Sequence, residues 1–282
     1  MRAASITPLI QAAAVSAIRI IQSNDDGWAE ANLRVFNDAL IAAGHDVLLS
    51  GPAETIFQGA SQDEDPVDRT EACGYDSCPA NSGAFGSNAT RPDLNWVNSY
   101  PDGEAPELAL SGPNVGWNVC IAAQYSGTVG VAAFAAHNRS VPAIAFSGAS
   151  YSQAPWSEDP PPAASVVYAK LAMTLTEHIV AQGAPYLPED TFLNVNFPEA
   201  EGDCADAANY EWILTRIKPG VASAPDAEWC GSRDLPNEID IAEMRGCYIS
   251  VSIADASDKA TINDSRQKVV LDKLQDLLSC LP

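Results

Sequence analysis

One stretch of the chain narrows the fold more than any other: between residues 108 and 157 the only Lys, Arg, Asp or Glu is Arg139. A run so poor in charge belongs in a bilayer or in a protein interior. Gly112-Pro113-Asn114 and Gly116-Trp117-Asn118 break it too often for a membrane helix. The pieces left between the breaks have the lengths of strands and of one helix. Residues 107–110 read as a strand, 126–137 as a helix of small residues, and Val141-Pro142-Ala143-Ile144-Ala145-Phe146-Ser147 as a further strand. Continuous apolar strands of this kind occur in parallel sheets covered on both faces.

The rest of the chain agrees. Ile18-Arg19-Ile20-Ile21-Gln22-Ser23 reads as a buried strand that runs out in Asn24-Asp25-Asp26-Gly27. Ala29, Leu33, Phe36, Leu40 and Ala43 then share one face of a helix that Gly44 stops, and Asp46-Val47-Leu48-Leu49-Ser50 is the next strand. Such a βαβ unit implies parallel pairing. Residues 53–93 read as irregular, and Asp63-Glu64-Asp65 as a solvated loop without ligand spacing. A long helix over 163–182 and a strand at Phe192-Leu193-Asn194-Val195-Asn196-Phe197 follow. After Pro198 come strands over 212–217 and 247–253, then an amphipathic helix with Val270, Leu274, Leu277 and Leu278. The predicted fold is α/β, a Rossmann-like three-layer arrangement around a mostly parallel sheet. Its core spans about 18–198, and a β-rich C-terminal extension over about 199–282 ends in a helix.

Composition limits function. Fifteen Lys and Arg stand against 37 Asp and Glu, a formal charge of −22. That balance argues against a nucleic-acid duplex or an anionic membrane as partner. With 46% apolar residues the chain is nevertheless no disordered acidic tail. Residues 1–17 combine Met1-Arg2, a short apolar run and a small-residue Val15-Ser16-Ala17 end, which reads as a cleaved signal peptide; an alanine-rich first helix is the alternative. Sequons at Asn88, Asn138 and Asn263 fit a secreted glycoprotein. Of seven cysteines, Cys73 and Cys78 close a short loop, while Cys204, Cys230, Cys247 and Cys280 are left without assigned connectivity. Cys120, among apolar residues, reads as a buried free thiol. No C-x-x-C pair occurs, and His45, His137 and His178 form no H-E-x-x-H, so zinc is not expected.

Three segments carry chemistry. Asn24-Asp25-Asp26-Gly27 lies at the carboxyl end of a strand and before a helix, where open α/β sheets bind ligands. Adjacent carboxylates there repel unless a cation lies between them or one takes up a proton. A hard divalent ion resolves the repulsion; one Asp capping the helix while the other is solvated is the plainer reading. Ser111-Gly112-Pro113-Asn114-Val115-Gly116 also follows a strand and offers the Asn114 oxygen, or is simply a turn. Ser126-Gly127-Thr128-Val129-Gly130 opens a helix, where hydroxyls and free N–H groups hold a phosphate or merely cap. Neither a Walker A, a G-x-G-x-x-G nor a G-x-S-x-G motif is present.

In this order, Ser23-Asn24-Asp25-Asp26-Gly27, Ser111-Gly112-Pro113-Asn114-Val115-Gly116 and Tyr125-Ser126-Gly127-Thr128-Val129-Gly130 resemble the SurE family of survival-protein phosphatases and nucleotidases. Pro142-Ala143-Ile144-Ala145-Phe146-Ser147, Leu193-Asn194-Val195-Asn196-Phe197-Pro198 and Tyr248-Ile249-Ser250-Val251 resemble its later strands. Asp76-Ser77-Cys78-Pro79 with Leu94-Asn95-Trp96-Val97-Asn98-Ser99 looks like the secreted fungal branch. The resemblance implies hydrolysis of phosphate monoesters such as nucleoside monophosphates by a metal-activated water. Asp25, Asp26 and Asn114 would hold Mg2+ or Mn2+, and Asn24, Ser126, Gly127 and Thr128 the phosphate. Asp26 would orient the water or pass its proton. Members commonly associate through C-terminal elements, which leaves room for a homodimer. With so negative a surface, activity at acidic pH is expected.

Two departures accompany the match. The family serine ligand falls in a loop that here reads Phe57-Gln58-Gly59-Ala60-Ser61, so Gln58 or Ser61 would replace it. The family also joins the strand near Trp96 to the one near Leu108 by a helical crossover, but only residues 99–106 separate them here, and a parallel crossover needs about a dozen. Either the pairing is rearranged or a helix is lost. Two other functions therefore stand beside the enzyme: a descendant that binds metal or phosphate without turnover, and a secreted acidic surface protein.

Overall fold

The computed structural model of the chain describes residues 17–55, 67–68, 70–82, 85–86, 104–217, 225–262 and 265–282. Gln58, Ser61, the acidic run at 63–65, the strand expected near Trp96, the sequons at Asn88 and Asn263, and residues 1–16 of the expected signal peptide lie outside them.

Strand β1 (Arg19–Ser23) leads to helix α1 (Ala31–Ala42) and strand β2 (Asp46–Leu49), which completes the predicted βαβ unit. β3 (Val67–Asp68) and β4 (Phe85–Gly86) form a small antiparallel pair. β5 (Leu108–Val115), the short α2 (Ile121–Tyr125), α3 (Gly127–Arg139), β6 (Ala143–Gly148), α4 (Ala163–Ala181) and β7 (Thr191–Phe197) follow. The C-terminal part supplies β8 (Glu211–Thr215), α5 (Glu238–Ala242), β9 (Tyr248–Asp255), α6 (Ser265–Leu274) and β10 (Leu278–Ser279).

Eight strands form one sheet in the order β10-β8-β9-β7-β6-β5-β1-β2, parallel throughout except where β9 runs against β7. The C-terminal residues are thus not an appended layer: β8 and β9 extend the core sheet beyond β7. Helix α6 does not end the chain either, because β10 follows it and pairs with β8 at the edge.

Alternation along the central strands explains the two layers of helices. Leu108, Leu110, Ile144 and Phe146 face one side and pack with Phe36 and Leu40 of α1, Leu171 and Leu175 of α4, and Val270 and Leu274 of α6. Ala109, Ala143 and Ala145 face the other side and meet Val129, Ala132, Ala133 and Ala136 of α3. Alanine against alanine lets α3 lie close to the sheet, so its N-terminus comes up to the strand ends that carry the candidate site. Among the described residues no helix is long and apolar enough to cross a membrane.

Three disulfides pair Cys73 with Cys78, Cys204 with Cys247, and Cys230 with Cys280. Cys120 is free as expected, but half-buried rather than buried. It stands at a positive φ of 52° just before α2.

Candidate active site

Three neighbouring strand ends bring the predicted residues together. β1 and β5 are direct parallel neighbours, with Ser23 opposite Ser111, so Asn24, Asp25 and Asp26 emerge beside the Gly112–Val115 segment. Here β5 does not break into a loop as expected. It continues to Val115, with an irregularity between Ser111 and Asn114 that shifts its register against β6. Gly112 makes this bend feasible: its φ is +96°, and a Cβ there would lie 2.2 Å from the Phe146 carbonyl oxygen. The bend turns Asn114 toward the N-terminus of α3, whose first turn is capped by Ser126 through its hydroxyl and the Val129 N–H.

At the centre is the buried Thr128 hydroxyl. Asp25 Oδ1 lies 2.6 Å from it, Asn24 Oδ1 2.8 Å and Asn114 Oδ1 3.0 Å. The amide orientations are fixed elsewhere: Asn24 Nδ2 donates to Asp26 Oδ2 and Asn114 Nδ2 to the Gly116 carbonyl. One hydroxyl carries one proton, so it satisfies one of the three oxygens; Asn24 Oδ1 also accepts from the Asp25 N–H at 2.9 Å, and the Gly127 and Thr128 N–H groups face Asp25. The convergence of carboxylate, amide and hydroxyl oxygens at one point is a donor set that a hard cation suits. Among the described residues no three His, Cys, Asp or Glu cluster so as to hold a metal ion, so a cation here would draw on amide or hydroxyl oxygens besides the two aspartates. By the chemistry of their oxygens, Asp25, Asp26 and Asn114 fit a hard divalent cation.

The carboxylates are poorly compensated. Asp26, almost fully buried, accepts from the Val115 N–H at 2.7 Å and from Gln153 Nε2 at 3.2 Å. Burial first, and the Asp25 charge second, push its pKa up to about 7. Burial also raises that of Asp25, against the pull of the Thr128 hydroxyl and of the Gly127 and Thr128 N–H groups. Those N–H groups belong to the helix start predicted to hold phosphate. Gly127 packs tightly here: a Cβ on it would lie 2.7 Å from Asp25 Oδ2.

Four residues join the site that sequence reasoning did not pick out. Glu30, 1% exposed, caps α1 by accepting from the Asn32 and Leu33 N–H groups. Burial and the Asp26 charge push its pKa up to about 8. Gln153, from the loop after β6, reaches both Asp26 and the Thr55 hydroxyl. The Thr55 hydroxyl donates to the Asp26 carbonyl at 2.8 Å. Asn118, buried behind the bend, donates its Nδ2 to Ser147 and its backbone N–H to Asn196. Only Asn118 and Asn196 left a trace in the sequence, as asparagines within otherwise apolar runs. A cavity of about 280 Å³ opens beside Asp26, toward Thr55 and Tyr75.

Comparison with known proteins bears on the family and the fold. The family described as Survival protein SurE matches residues 20–219. An acid phosphatase of Yarrowia lipolytica is 29% identical over 83% of this chain and 78% of its own length. A 5'-nucleotidase SurE of Citrifermentans bemidjiense is 30% identical over 78% of this chain and 84% of its own. The crystal structure of the SurE protein from Aquifex aeolicus shares the fold, with a TM-score of 0.54 over 92% of this chain and 99% of that one at 20% identity. On this match and on the strand-end motifs, the chain belongs to the SurE family.

Proposed function

We propose that the chain hydrolyses phosphate monoesters, with nucleoside monophosphates as its natural class of substrate, and that it needs a divalent cation to do so. The observation that carries this reading is the convergence of the Asn24, Asp25 and Asn114 oxygens on the Thr128 hydroxyl at the start of α3. The relatives named acid phosphatase and 5'-nucleotidase support the reaction class.

Asp25, Asp26 and Asn114 would hold the cation, with Gln58 or Ser61 as a further ligand in place of the family serine. When bound it supplies Lewis acidity and lowers the pKa of water. The chain does the rest. Ser126, Gly127 and Thr128 present a helix N-terminus and hydroxyls to the phosphate, and Asn24 adds its amide. Asp26, held by Val115 and Gln153, orients the attacking water and takes its proton. Water oxygen bonds to phosphorus, the ester P–O bond breaks, and the proton ends on the leaving alkoxide. Glu30 beside Asp26 makes the pocket acidic without touching the reacting atoms.

Three disulfides fit an oxidising compartment. We read residues 1–17 as its export signal, and the exposed Asn138 as available for glycosylation.

Phosphate release from p-nitrophenyl phosphate and from nucleoside monophosphates tests the reading. Turnover of both is expected. No turnover together with tight Mn2+ binding would mean a binding protein instead.

A further inference from the structure

The cavity beside Asp26 is closed on its far side by a turn that the catalytic reading leaves unused. Cys73 and Cys78 staple that turn, and Cys73 is 3% exposed. The Gly74 N–H donates to the Ala53 carbonyl at 2.7 Å, which fastens the turn to the segment after β2. Between these anchors Tyr75 is forced into the left-handed region, at φ 56° and ψ 30°, and Asp76 follows at φ 53°. That conformation is costly for a bulky residue and persists only where its surroundings over-determine it. The result is a tyrosine that stays 40% exposed while lining the cavity.

Asp25, Asn114 and Thr128 do not line this space, so it adjoins the site on the Asp26 side, away from the phosphate-binding helix start. Its charged lining is Asp26, Glu30 and Glu54; no Lys, Arg or His lines it among the described residues. An aromatic wall with acidic neighbours and no cation suits a flat group that brings hydrogen-bond donors and no negative charge.

Resting on the phosphatase reading, we propose that Tyr75 is a specificity-determining residue: its ring packs against the leaving group of the ester. The subsite so formed takes phosphomonoesters whose leaving group is planar and uncharged, as in a nucleoside. It disfavours esters that carry a second phosphate, which would find no Lys, Arg or His to pair with among the described lining residues.

Kinetics of the full chain with Mn2+ test this, comparing adenosine monophosphate with glycerol phosphate. Tyr75→Asn suits the left-handed backbone and removes the ring. It is expected to raise KM for adenosine monophosphate by about fivefold or more, with kcat within about twofold and glycerol phosphate unaffected. Tyr75→Phe keeps the ring and is expected to keep the KM. Equal effects on both substrates, no effect on either, or a Tyr75→Phe as impaired as Tyr75→Asn would overturn the proposal. Calorimetric titration with adenosine, which has no phosphate, gives an independent readout. Its Kd is expected to rise in Tyr75→Asn by the same factor, and an unchanged Kd overturns the subsite. Because this measurement needs no turnover, a chain that hydrolyses no ester defeats the functional reading while the adenosine titration still decides the subsite.

Discussion

Replacing Gly127 by alanine adds one methyl group where the helix start presses on Asp25. The new Cβ would stand 2.7 Å from Asp25 Cβ, 2.7 Å from its Oδ2 and 2.8 Å from its Cγ. Carbon contacts settle near 3.5–4.0 Å, so Asp25 must retreat by roughly 1 Å. The backbone has no reason to object: Gly127 is the first residue of α3, and its φ is not positive. Alanine is the better helix former, by up to about 1 kcal/mol in a helix interior. The cost therefore falls on the carboxylate, which also loses its 2.6 Å bond from Thr128. A misplacement of about 1 Å costs about 100-fold in rate, or about 2.7 kcal/mol of transition-state stabilisation. Initial rates of phosphate release, set beside thermal melting by circular dichroism, measure both sides. The expectation is a kcat/KM lower by about 100-fold with Tm within about 4 °C. A Gly127→Ala protein with more than half the parental activity would refute the placement of Asp25 against the helix start.

Other consequences follow from the packing around the site. Glu238, fully buried, accepts from the Cys120 N–H, Asn194 Nδ2 and the Ser252 hydroxyl, yet burial still pushes its pKa from 4.5 up to about 7. The folded state thus holds this proton more tightly than the unfolded chain. About 3 kcal/mol of stability is present below pH 4.5 and lost as pH rises to about 7; denaturant titrations of Glu238→Gln should show that part of the pH profile flattened. The Cys204–Cys247 and Cys230–Cys280 bridges span separations of 43 and 50 residues. Each should contribute up to about 4 kcal/mol, so melting with and without reductant should show a large drop in Tm. Arg34 lies over the rings of Trp28 (5.5 Å) and Trp156 (4.9 Å) and so ties the loop that carries Gln153 to α1. Arg34→Ala should cost about 1–2 kcal/mol, shift tryptophan fluorescence and raise KM more than it lowers kcat.

What the sequence discloses depends on how local the signal is. The sheet was legible because buried parallel strands are uniform apolar runs, whereas the assignment of Leu108 and Leu110 to one helical layer and Ala109 to the other came from the packing. Asn24, Asp25, Asp26, Asn114 and Thr128 were legible because strand ends and helix starts are where open sheets place chemistry. Glu30, Gln153 and Tyr75 were not. Gln153 and Tyr75 lie on loops distant in sequence from Asp26, as the separations of 127 and 29 residues for Gln153 and Thr55 illustrate, and no spacing rule encodes such packing. Glu30 acts locally as a helix cap, a position where Glu is not among the favoured residues. The course of β5 through Asn114 was missed for a related reason. Gly-Pro-Asn signals a turn, whereas here the glycine serves close passage against the Phe146 carbonyl within a strand. Disulfide partners likewise waited on the fold, since only the register of β8, β9 and β10 brings the C-terminal cysteines into pairs.

The most direct test of the central claim is metal dependence. The purified chain is stripped with EDTA, assayed for phosphate release from a nucleoside monophosphate, then reassayed after titration with Mg2+ or Mn2+, alongside Asp25→Ala. The account predicts activity lost on stripping, restored by one of the ions, and absent from the variant at every metal concentration. Activity that survives EDTA and persists in Asp25→Ala would contradict it.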